Sequence, residues 1–255
     1  MIWRGMPPAL AAALLLAACA GGQGEGRREL GGESRLRIAA AAEASGQTDI
    51  ALSMYAAAAA AEPGRADLQA RFASALARAG NAAQAEEVLN RALARQPSDP
   101  VLLTQLGRLR LRGDSAEQAL QLFDRVLSGA PRDVGALDGR GMALDLMGRH
   151  AEAERSYRAA LALAPGNVAV ANNLAMSLLL AGRVPEALAI LEPLARRAGA
   201  PPRVATNLAI ARAAAGDREG ARTLLGERSG AEDLDAVVTG LTGGAPTPAG
   251  AAGQS

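Results

Sequence analysis

Residues 134–167 read VGALDGRGMALDLMGRHAEAERSYRAALALAPGN, and residues 168–201 read VAVANNLAMSLLLAGRVPEALAILEPLARRAGAP. Laid one beneath the other, they place small residues together at Gly141 and Ala175, glycines at Gly148 and Gly182, and alanines at Ala153 and Ala187. They also place large apolar residues together at Tyr157 and Leu191. Extending the same 34-residue shift in both directions aligns six segments without insertion, starting at Gly32, Ala66, Pro100, Val134, Val168 and Pro202. Position 20 is then Ala in all six: Ala51, Ala85, Ala119, Ala153, Ala187 and Ala221. Position 8 is always small and position 24 always large, the latter being Tyr55, Leu89, Phe123, Tyr157, Leu191 and Leu225. Position 32 is Pro63, Pro97, Pro131 and Pro165, then Gly199.

Within each unit, apolar residues recur at helical spacing on both sides of a central glycine, as Leu137, Met142, Leu144 and Leu146 do before Gly148. Gly at position 15 (Gly46, Gly80, Gly148, Gly182, Gly216) ends a first helix by accepting a positive φ. In the third unit the sequence puts this turn one residue early, at Gly113. Asp49, Asp114 and Asp217 fall at the turns, where a carboxylate meets the positive end of the next helix. Small residues at 8 and 20 let paired helices touch, and the large residue at 24 fills the space between them. One pair cannot bury its apolar face alone, so repeated pairs must stack around a continuous core.

Composition agrees with a helical stack. Of 255 residues, 63 are Ala and only 2% are aromatic, which suits closely approaching helices better than a sandwich or barrel. All 27 basic residues are Arg and the net charge is +1, which argues against a nucleic-acid-binding surface. A single Cys and a single His exclude an intrachain disulfide and a Cys/His zinc cluster. No metal, cofactor or small-molecule substrate is implied. His150 reads as a surface residue of a turn, and the acidic pairs Glu86-Glu87 and Glu232-Asp233 read as solvated faces. The glycine-rich stretches lack a phosphate-loop ending.

The columns resemble the tetratricopeptide repeat, most clearly in Gly141, Gly148, Ala153, Tyr157 and Pro165, and in Leu174, Ala175, Gly182, Ala187 and Leu191. The resemblance implies an all-α fold, a right-handed superhelix (α-solenoid) of six helix-turn-helix repeats over residues 32–228. Arg140, Arg110 and Arg212 depart from it by standing where large apolar residues are usual. Either those units pack loosely or the Arg stems cover apolar surface with the charge outside. Residues 229–241 are expected to form a short capping helix, and 242–255 a disordered tail.

The same resemblance implies a protein-binding groove lined by positions 5, 9 and 12 or 13 of the first helices. Here those are Thr104, Arg108 and Arg112; Asp138, Met142 and Asp145; Asn172, Met176 and Leu179. Arg78 joins the first set, while Asn173 and Asn207 match asparagines that hold a ligand's backbone. Such a groove has an Arg-bearing patch beside an acidic one, which suits a segment carrying both signs of charge. With no Lys, binding of a free C-terminal carboxylate through a Lys-dependent clamp is not supported.

The N-terminus carries an address. Arg4 precedes an apolar run too short to span a bilayer, followed by small residues. Leu16-Ala17-Ala18-Cys19 resembles the bacterial lipobox, which implies residues 1–18 as a lipoprotein signal peptide, a lipidated Cys19, and a tether to residue 31. Ala20 after the Cys implies sorting to the outer membrane, periplasmic face, over inner-membrane retention. Lipobox, tether and repeats together resemble the TadD-like lipoproteins of tight-adherence (Flp, type IVb) pilus assembly. The phrases that carry this likeness are Gly148 to Ala153, Ala171 to Ala175, Leu191 to Ala195 and Asn207 to Ala209. The implied partners are proteins, a secretin or other assembly components. A scaffold for another envelope machine, serving outer-membrane barrel assembly or cell-wall synthesis, is the alternative. An enzyme or solute-binding lipoprotein would require a polar constellation that the sequence lacks.

Overall fold

In the computed structural model, residues 31–225 are described and form twelve α-helices with no strand. The expected signal peptide, Cys19, tether residues up to 30, capping helix and tail lie outside the described residues. Among the described residues no helix is long and apolar enough to cross a membrane.

The chain divides into two compact units at Glu62/Pro63. The first contains α1 (Gly32–Ala44) and α2 (Thr48–Ala61). Its buried side chains are alanines, Ala39, Ala42, Ala51, Ala58 and Ala59, plus Tyr55, whose hydroxyl donates to Glu43 at 3.1 Å.

The described residues of the second unit form ten helices in five pairs. They are α3 (Ala66–Arg78) and α4 (Ala82–Leu93); α5 (Pro100–Arg112) and α6 (Ala116–Gly129); and α7 (Val134–Leu146) and α8 (His150–Leu163). Then come α9 (Val168–Leu180) and α10 (Val184–Ala195), and α11 (Pro202–Ala214) and α12 (Arg218–Leu225). Within this unit each first helix packs on its own partner, α5, α7, α9 and α11 also pack on the second helix of the preceding pair, and successive first helices touch one another, so this unit is an α-solenoid.

Local chemistry sets the ends of these helices. Asp99 accepts from the backbone amides of Val101 (2.9 Å) and Leu102 (3.0 Å), and Asp133 accepts from Ala136 (2.7 Å). Asn167 does the same for Val170 (3.2 Å). Each such cap contributes about 1 kcal/mol. First helices end in a left-handed residue, as at Gly148 (φ 72°), and the next amide, Arg149, reaches back to the Leu144 carbonyl at 2.8 Å. In the third unit the left-handed residue is Asp114 (φ 53°), while Gly113 lies at φ −100°. The expected early turn at Gly113 is therefore corrected: the 34-residue register holds, and an aspartate takes the strained position.

All six position-20 alanines are buried, and so are Leu89, Phe123, Tyr157 and Leu191 of position 24. A β-carbon on Gly107 would lie 2.8 Å from the tip of the Phe123 ring, and one on Gly141 would lie 2.5 Å from Tyr157. Absence of side chains at these points makes room for the rings. The Arg departures are resolved by pairing. Arg110 forks onto Glu86 (2.8 and 2.6 Å), and Arg140 donates to Asp124 (2.8 Å) and Ser156 (2.7 Å). Arg212 stands 3.5 Å from Glu192. Each of these acids lies on the second helix of the preceding pair, so these Arg heads tie one pair to the next. Glu86 is consequently no simple solvated residue, and the Arg110 hydrogen bonds hold its carboxyl below the ordinary range.

Candidate protein-binding cleft

The first helices α5, α7 and α9 lie side by side and enclose a cleft of about 730 Å³. Helical spacing brings the lining residues to one face. α5 supplies Arg108, Leu111 and Arg112; α7 supplies Asp138, Met142, Asp145 and Leu146; α9 supplies Asn173, Met176 and Leu180. Tyr157 of α8 closes the floor.

Seven of the residues named from the sequence meet here: Arg108, Arg112, Asp138, Met142, Asp145, Asn173 and Met176. Five do not line it: Arg78, Thr104, Asn172, Asn207 and Leu179. Arg78 lies exposed on α3 and donates to Ser74 at 2.7 Å. The Thr104 hydroxyl is buried without a hydrogen-bond partner. Asn172 is buried and accepts from Asn207 at 2.9 Å, so these two amides join α9 to α11. Asn173 likewise donates to Asp138 of the preceding pair at 2.9 Å. Position 6 of one pair thus bonds position 5 of the pair before it, twice in succession.

Leu111, Leu146, Leu180 and Tyr157 were not anticipated. At the C-terminal end of α9 the expected Leu179 is buried, and its neighbour Leu180 faces the cleft instead. The signal lay in the spacing of four, since Arg112, Leu146 and Leu180 all stand at position 13, four residues beyond position 9 on one helix face, while position 12 lines the cleft through Leu111 and Asp145 but not through Leu179. Met142 (38% exposed), Leu146 (60%) and Leu180 (39%) make the cleft more apolar than the sequence suggested.

Its two carboxylates are engaged from within. Asp145 accepts from Ser177 (2.7 Å) and Tyr157 (3.0 Å), and faces His150 Nδ1 at 2.9 Å. Burial, then the Asp145 charge, pushes the Tyr157 hydroxyl far up, so it remains a donor. His150, read from sequence as a surface turn residue, is the first residue of α8 and partly buried beside Asp145. Ser177 bonds Asp145 itself, so the imidazole and hydroxyl share one acceptor and do not form a relay. Burial lifts the Asp138 carboxyl above the ordinary range, against the opposing Asn173 hydrogen bond and the charge of Arg108. Among the described residues, no group of three or more His, Cys, Asp or Glu is placed to hold a metal ion.

Comparison with known proteins gives a consistent picture. One tetratricopeptide repeat model matches residues 42–106 and 146–206, and a second matches 104–168. No curated relative matches the chain. Among solved structures it is similar to a tetratricopeptide repeat protein from Parabacteroides merdae, with 19% identity over 91% of this chain and 92% of that one, and a TM-score of 0.66. It is also similar to TTC0263, a tetratricopeptide repeat protein of Thermus thermophilus (24% identity, 71% and 98% coverage, TM-score 0.64). Pseudomonas aeruginosa PilF matches at 18% identity over 84% and 93%, with a TM-score of 0.58. At these identities the structures bear on the fold alone. With family models matching across residues 42–206, more than half of the sequence, the chain belongs to the tetratricopeptide repeat family, an all-helical scaffold for protein–protein interaction.

Proposed function

We propose that this chain is a lipid-anchored, periplasm-facing adaptor of the outer membrane that serves tight-adherence pilus assembly. Its role is to hold a segment of a secretin or another assembly component in the cleft of α5, α7 and α9. The observation that carries the membrane half of this reading is Leu16-Ala17-Ala18-Cys19 directly after a short apolar run. Acyl chains on Cys19 contribute about 0.8 kcal/mol per buried CH₂, so more than one chain anchors firmly. The cleft supports the other half, because it is concave, largely apolar and edged by two arginines. The role is read as binding rather than catalysis because the tetratricopeptide repeat is in general an interaction scaffold. The pilus assignment rests on the resemblance in the phrases around Gly148, Asn172, Leu191 and Asn207.

Replacing Cys19 by Ser tests the anchor. The variant is expected to lose the acyl mass and to move from the membrane to the soluble periplasmic fraction, with pilus assembly impaired. Unchanged fractionation, with no acyl mass on the unaltered protein, would rule the anchor out.

A further inference from the structure

The four charged side chains in the cleft are not equivalent. Asp145 is held by Tyr157, Ser177 and His150, and Asp138 is held by Asn173. Arg108 and Arg112 are exposed and make no hydrogen bond or ion pair among the described residues. The contrast with Arg110 is informative. On the same helix but another face, Arg110 is already forked onto Glu86. Arg110 is thus spent on the array, whereas Arg108 and Arg112 face a cleft whose acids, Asp138 and Asp145, take their hydrogen bonds from Asn173, Tyr157 and Ser177 instead.

The two open guanidiniums lie one helical turn apart, with about 5–6 Å between β-carbons at that spacing. A guanidinium fork matches a carboxylate in two parallel hydrogen bonds. Beside them, Met142, Leu146 and Leu180 expose large apolar surface, with Met176 between. The exposed charge of the cleft is the positive edge of Arg108 and Arg112, the exposed remainder is largely apolar, and Asp138 and Asp145 are part-buried. A basic segment would meet the exposed Arg108 and Arg112 first, whereas Asp138 and Asp145 are part-buried and already hold internal donors.

We propose that the cleft takes an amphipathic segment of a partner protein, with side-chain carboxylates set on Arg108 and Arg112 and large aliphatic or aromatic side chains set on Met142, Leu146, Met176 and Leu180. This rests on the adaptor reading of the cleft and narrows it: the occupant is acidic and apolar, not of mixed charge. The carboxylates belong to side chains within the segment.

The test is affinity selection from a random library of 16-residue peptides displayed on phage. The peptides are joined through their C-termini to the coat protein, so that no free terminal carboxylate is offered. The full chain in detergent is the bait, beside an Arg108→Glu, Arg112→Glu variant and a Met142→Asp, Leu146→Asp variant. Circular dichroism confirms their helical content, and Arg108→Ala, Arg112→Ala replaces the reversal should it unfold.

The expected outcome is enrichment of peptides with two or more Asp or Glu beside Leu, Ile, Phe or Met. Synthetic amidated copies should bind the reversed variant about tenfold or more weakly, and copies with Gln for the acids should weaken similarly. Enrichment without acidic bias, or acidic peptides indifferent to the reversal, overturns the proposal. Should such peptides still depend on Met142 and Leu146, the cleft stays a docking groove and only its charge preference is wrong. Absence of any enriched peptide, or binding indifferent to all four positions, overturns the groove reading as well. The chain's own residues 231–241, with Glu232, Asp233 and Asp235 beside Leu234, Val237, Val238 and Leu241, serve as a competitor. Stronger binding by that peptide than by any selected one would make the chain its own occupant and overturn the partner assignment.

Discussion

Asp114 shows how a repeat constrains a single residue. In the other five units position 15 is glycine with φ between 71° and 93°, and in the third it is an aspartate at 53°. Glycine was available one residue earlier, yet moving the turn would have shifted every helix contact of α6 against α5. The period wins over the local preference, at a conformational cost that L-residues other than Asn and Asp rarely accept. Asp114→Gly should therefore raise stability by about 0.5–1 kcal/mol, seen as a higher urea midpoint with an unchanged slope. A lower midpoint would mean that the aspartate makes a contribution its backbone does not reveal. Residue identities were legible in the sequence where periodicity governs them, as at Gly148 or Ala153. They were not legible where partners come from distant positions. Asp145 reads as an open groove carboxylate, and its donor Ser177 is 32 residues away. Leu180 reaches the cleft because it stands four residues beyond Met176 on the same helix face.

At the scale of the helix pair, glycine and aromatic residues form matched sets. The Phe123 ring tip lies against Gly107, and Gly139 approaches it closer still, so the ring has no direction in which to retreat. Pairs with alanine at position 8 carry leucine at position 24 in three cases, Ala73 with Leu89, Ala175 with Leu191 and Ala209 with Leu225, and tyrosine in the fourth, Ala39 with Tyr55. Alanine in place of glycine ordinarily strengthens a helix by about 1 kcal/mol. Here Gly107→Ala should instead cost about 1–3 kcal/mol by overpacking. Adding Phe123→Leu should recover much of that loss, and the check is a double-mutant cycle by chemical denaturation. Additive losses would mean that ring and glycine do not share one space. The alternation of small and large residues was visible as columns. Gly139 as a second wall was not, because position 6 is polar in the other units and becomes a contact only beside an aromatic ring. The Arg110–Glu86 pair was missed for a related reason, since its members stand 24 residues apart and each looks solvated alone.

At the scale of the molecule, the sequence suggested one uninterrupted array, and the described residues form two compact units divided at Glu62/Pro63. The cleft lies wholly in the second, on three consecutive first helices. That arrangement explains why the groove could be read approximately from the resemblance. A repeat places equivalent positions on one surface whatever residues occupy them. Its chemistry was less accessible, because whether a charge is free depends on neighbours one repeat away. The adaptor account stands or falls on whether a partner seats in this cleft within the cell envelope. Site-specific photo-crosslinking addresses that directly, with a photoreactive residue replacing Leu146 in the cleft or Arg155, whose side chain is exposed on α8. The expected result is one discrete envelope protein trapped from position 146, lost on Arg108→Glu and Arg112→Glu, with no such adduct from position 155. Equal adducts from both positions, or an adduct from 146 that survives the reversal, would contradict the cleft as the binding site.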